Sequence, residues 1–76
     1  MNKGQKAIVS LLKNDADHGY TVQQIAEATN YSPKTVNSYA NQLVQMNILI
    51  KARVKKNYFL INLTMLFTLT KNLLIY

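Results

Sequence analysis

Lys34, Asn37, Ser38 and Asn41 follow one another at spacings of three, one and three residues, and on a helix turning about 100° per residue they share one side. Gln45 continues that stripe, and Gln42 flanks it opposite Asn37. The amides and the hydroxyl both donate and accept hydrogen bonds, whereas the ammonium only donates. The chemistry open to such a face is recognition of hydrogen-bonding edges rather than bond-making. A helix face that is merely solvated more often carries paired Glu and Lys. Bond-making has little to work with elsewhere, because the sequence contains no cysteine and one histidine and has neither a nucleophile elbow nor a phosphate-cradling glycine loop. His18 lies beside Asp15 and Asp17, but the usual spacing of metal ligands is missing. We read that segment as an ordinary polar turn and expect no enzyme activity, metal, cofactor or small-molecule substrate.

Nine Lys and Arg stand against Asp15, Asp17 and Glu27, giving a net charge of +6 and a pI near 9.8. A polyanion is the natural partner, and nucleic acid and an anionic membrane surface both meet that criterion. With 49% hydrophobic residues the chain is too apolar for a disordered tail. At 76 residues it fits one domain, and a domain of this size buries only roughly 60% of its unfolded surface. Apolar packing has to suffice, since neither a disulfide nor a thiolate metal site can supplement it. Met1 to Lys6 leads into an amphipathic stretch rather than a signal peptide, so a cytoplasmic protein is expected. Residues 58–76 are apolar enough to raise the question of a membrane span, which needs roughly 20 apolar residues. Asn62, Lys71, Asn72 and the threonines Thr64, Thr68 and Thr70 argue against one.

These residues need elements to position them. Ile8, Leu11 and Leu12 predict an amphipathic first helix over Gln5 to Asn14, ended by the loop Asp15 to Gly19, whose glycine can take positive φ. Thr21 and Gln24 have the spacing of a capping box, with Tyr20 and Ile25 as a hydrophobic staple, so a second helix starts at Val22 and runs to about Ala28. The start signal recurs at Ser32, with Pro33 at the first helical position and Tyr31 and Val36 as the staple. Asn30, between the two, suits the left-handed region. The third helix turns Val36, Tyr39, Ala40, Leu43 and Val44 inward. Asn47 suits the left-handed end of that helix, and Ile48 to Val54 then reads as a strand with Lys51 and Arg53 on one face, which Lys55 continues. Lys55, Lys56 and Asn57 make a basic turn, and Tyr58 to Leu63 returns as a second strand. Thr64 can cap a last helix from Met65, apolar around nearly its whole circumference and therefore in need of a partner.

The pattern Thr21-Val22, Ile25-Ala26, Ser32, Thr35-Val36, Leu43, Asn47 and Ile48 resembles that of the bacterial winged helix-turn-helix regulators, including the MarR-like and ArsR-like groups, over residues 5 to 64. Asn47 stands where those proteins usually have glycine, and Ala40 where they often have a larger apolar residue. The expected fold is α+β and mainly α, with a three-helix core, a two-stranded β-hairpin wing and an apolar C-terminal helix. Residues 1–64 form the domain and 65–76 the apolar segment.

The resemblance implies a recognition helix over residues 32–46 in the major groove of double-stranded DNA. Lys34, Asn37, Ser38 and Asn41 are then the base-reading candidates, since Asn can pair with adenine and Lys can donate to guanine. Thr21, Ser32 and Thr35 suit phosphates, and Arg53, Lys55 and Lys56 place the wing, residues 51–57, on the backbone or in the minor groove. The expected function is that of a sequence-specific DNA-binding protein and small transcriptional regulator, dimerising through the C-terminal segment. The competing expectation is a winged helix used as a protein–protein interaction module, or a replication or mobile-element accessory protein.

Overall fold

The computed structural model describes residues 1–64 of the chain. Within them the order is α1 (Lys3–Asn14), α2 (Val22–Thr29), α3 (Pro33–Gln45), β1 (Leu49–Arg53) and β2 (Asn57–Ile61). The helix predicted from Met65 lies outside the described residues.

Each helix begins at a side chain that satisfies its unpaired backbone donors. α1 starts earlier than its apolar periodicity suggests, because Asn2 accepts from the Gln5 amide while the Gln5 side chain accepts from the Asn2 backbone. The same reciprocal box forms between Thr21 and Gln24 at α2. Ser32 caps α3 with Pro33 directly behind it. Asn30 and Asn47, both at φ 63°, take the left-handed positions that close α2 and follow α3. With so short a turn, α3 is set across α2, and Ile25 and Ala26 meet Val36, Ala40 and Leu43 in one core with Ile8 and Leu12 of α1. Leu11, Val22, Tyr39 and Val44 are only partly buried at its margin.

Gln5 and Gly4 define how α1 sits on α3. Gln5 is buried and donates from Nε2 to Gln42 Oε1. A Cβ on Gly4 would overlap ring carbons of Tyr39, and the Tyr39 ring is in turn set edge-on to Tyr31 at 6.3 Å. Gly4→Ala therefore costs more in overpacking, about 1–3 kcal/mol, than the ~1 kcal/mol it gains in helix propensity. A melting temperature lowered by about 4–8 °C is expected, measurable by thermal circular dichroism.

β1 and β2 pair antiparallel from Leu49↔Ile61 to Arg53↔Asn57. The turn therefore falls on Val54 to Lys56, not on Lys55 to Asn57, and both strands are shorter than the predicted runs Ile48 to Val54 and Tyr58 to Leu63. Lys55 belongs to the turn and does not extend the strand face of Lys51 and Arg53. Alternation along the strand puts Leu49, Lys51 and Arg53 on one face, opposite Ile61, Phe59 and Asn57. The face that is core at the hairpin's root thus becomes basic further out. Tyr20 joins the sheet through a backbone bridge to Phe59, with N–H···O distances of 2.9 and 2.8 Å in the two directions. Gly19 does not adopt positive φ. What requires glycine there is closeness, since a Cβ would lie 3.0 Å from Cβ of Tyr58.

Candidate nucleic-acid interface

α3 leaves Lys34, Asn37 and Ser38 exposed to solvent. They lie on the side away from Val36, Ala40 and Leu43, which are completely buried. Asn41 is half-buried, and its Oδ1 accepts from Lys51 Nζ at 3.3 Å. Gln42, which flanks the stripe, is turned to Gln5 of α1. The structure therefore brings the four predicted base-facing residues onto one face but separates Asn41 from the others by its bond to β1.

At the helix starts, the hydroxyls are partly committed. Ser32 Oγ accepts from the Thr35 amide at 3.1 Å and donates to Thr35 Oγ1 at 2.9 Å. The Thr35 hydroxyl keeps its own hydrogen to donate. Thr21 Oγ1 accepts from the Gln24 amide at 3.2 Å and likewise keeps its hydrogen. Beside Thr21 an open cleft of about 310 Å³ is lined by Val22, Gln23, Lys56 and Asn57, so the start of α2 and the wing turn face a common space. Arg53, Lys55 and Lys56 are exposed.

Electrostatics divide the chain. No acidic residue occurs between Ala28 and Thr64, a stretch holding Lys34, Lys51, Arg53, Lys55 and Lys56. Lys51 is the participant missing from the base- and backbone-contact candidates. Strand alternation places it beside Arg53, but nothing local in the sequence indicates that it reaches α3.

The acidic residues Asp15 and Asp17 lie in the α1–α2 loop with His18. Asp15 Oδ1 is 2.8 Å from His18 Nδ1, and Tyr20 donates to Asp15 Oδ2 at 3.3 Å. The hydrogen bond to Asp15, then the charge of Asp15 and a smaller effect of Asp17, hold the His18 imidazole above its ordinary value against slight desolvation. Partial burial, followed by the charge and hydrogen bond of Asp15, pushes the Tyr20 phenol up. Because folding raises the His18 pKa, its contribution to stability is complete below the unfolded value of about 6.5 and disappears as pH rises through the folded value. In Asp15→Asn the His18 midpoint, followed by NMR, is expected to fall toward the ordinary value. Among the described residues no group of three or more His, Cys, Asp or Glu is arranged to hold a metal ion.

A helix pair joined by a tight left-handed turn, a third helix packed beneath it and a basic hairpin after the exposed helix define a winged helix-turn-helix. Residues 1–50 match the family of winged helix-turn-helix DNA-binding domains, and the chain belongs to that family. No curated protein and no solved structure matches it. The family match spans the three helices and enters β1, while the wing turn lies beyond it. No helix among the described residues is long and apolar enough to cross a membrane.

Proposed function

We propose that the chain is a sequence-specific double-stranded DNA-binding protein acting as a small, non-enzymatic transcriptional regulator in the cytoplasm. α3 enters the major groove with Lys34, Asn37, Ser38 and Asn41 toward base edges. Thr21, Ser32 and Thr35 line the helix starts against phosphates, Thr21 and Thr35 with a hydroxyl hydrogen to offer. Arg53, Lys55 and Lys56 carry the wing onto the backbone or into the minor groove. The observation supporting this reading best is the exposed polar face of α3 beside a wing with no carboxylate near it in sequence.

Residues 1–64 act as the DNA-binding unit and 65–76 as the segment through which two copies pair. The support is compositional: Met65, Leu66, Phe67, Leu69, Leu73, Leu74 and Ile75 fall within twelve residues. A dimer suits a two-fold symmetric site with half-sites one or more helical turns apart.

Gel retardation on random duplex tests the reading. A shift at low salt that weakens steeply as salt increases is expected, because phosphate contacts release counterions. Absence of a shift at every salt concentration rejects DNA binding and favours the protein-interaction module. Sedimentation showing only monomer at tens of micromolar rejects the dimer.

A further inference from the structure

Among the described residues, Asn41 is the base-reading candidate of α3 whose amide is held by another element. Lys51 donates from Nζ to Asn41 Oδ1 at 3.3 Å. The same Nζ stands 5.8 Å from the centre of the Phe59 ring, the residue directly across the hairpin. An ammonium has three donors and no acceptor, so it can face only the carbonyl end of the amide. The contact orients Asn41 with Oδ1 toward Lys51 and leaves Nδ2 to donate.

This changes what Asn41 can recognise. Adenine presents an N7 acceptor and an N6 donor in the major groove, and a bidentate Asn must accept with its oxygen while donating with its nitrogen. At Asn41 an incoming N6 hydrogen would approach an oxygen that already has a positive charge beside it. Guanine presents two acceptors, O6 and N7. Asn41 Nδ2 and the remaining Nζ hydrogens of Lys51 are all donors.

We propose that Lys51 is a specificity-determining residue which, by holding Asn41 Oδ1 and setting a positive charge beside its remaining lone pair, biases the junction of α3 and β1 toward donating and so toward guanine over adenine. The inference rests on the DNA-reading role of α3 proposed above. The test is selection from a random duplex pool by wild type, Asn41→Ala, Lys51→Met and Lys51→Arg. The position that loses its base preference in Asn41→Ala identifies the base pair read at this junction.

Guanine is expected there for wild type and Lys51→Arg, favoured over adenine by about tenfold in binding to sites differing only at that pair. A swing toward adenine is expected in Lys51→Met. Lys51 is exposed, so an unchanged melting temperature is expected for Lys51→Met, and Lys51→Gln replaces it should that fail. Adenine preferred by wild type, the same preference in wild type and Lys51→Met, or no position responding to Asn41→Ala overturns the inference while DNA binding stands. Failure of wild type to bind any duplex overturns the DNA-reading role itself and the inference with it.

Discussion

Lys34→Glu combined with Lys55→Glu is expected to weaken duplex binding by about a hundredfold or more at low salt, with no change in the thermal transition. The two residues stand on different elements, one on the first turn of α3 and one in the wing turn, and both are exposed. Each reversal removes one positive charge and adds one negative, so the net charge falls from +6 to +2. If Lys55, placed on the backbone, neutralises one phosphate, the slope of log K against log salt also becomes shallower by at least roughly 0.9, the value per contact typical of B-form DNA. The slope distinguishes lost phosphate contacts from unfolding, which would remove binding at every salt concentration and abolish the melting transition. A protein partner docked away from both lysines would be retained.

Phe59→Ala carries the largest expected loss of stability. Phe59 is completely buried and is the largest fully buried side chain among the described residues. Truncating such a residue costs about 3–5 kcal/mol, whereas a chain of 76 residues has at most about 4–11 kcal/mol in total at typical values per residue. A melting temperature lowered by more than about 15 °C, or loss of a cooperative transition, is expected by circular dichroism. Ile50→Ala serves as the control. Ile50 lies on the alternate face of β1 and is 49% exposed, so its truncation should change stability by well under the Phe59 value. An effect of equal size at both positions would mean that the outer face of the hairpin is covered in solution.

The features legible in the sequence were those with local causes. Thr21 with Gln24, Ser32 with Pro33, and the two asparagines at φ 63° all carry out the roles their chemistry suggests within four residues of chain. The helix-turn-helix could be placed from them because they fix starts, stops and crossing together. Four features escaped. The start of α1 was set by Asn2 and Gln5, which lie ahead of the first apolar position of its periodic run, Ile8. The wing turn contains Val54, Lys55 and Lys56, with no glycine or proline to mark it, so β-propensity overran it. Gly4 is tied to Tyr39 and Lys51 to Asn41 by packing between elements, for which residue spacing along one chain has no signature.

The bridge between Tyr20 and Phe59 also ties the foot of the wing to the helical core. A lone two-stranded hairpin is marginal in water, and this one gains its third pairing only when the loop after α1 has been delivered to β2. The foot of the wing should therefore form and open together with the helical core in one cooperative step. Amide exchange would divide the hairpin accordingly. The Tyr20 and Phe59 amides, bonded to each other's carbonyls, would open only with global unfolding. Val54, 82% exposed at the tip and holding a weaker 3.3 Å bond to Lys56, would exchange through local fraying, so the wing joins a rigid root to a tip that can adjust to the surface it meets.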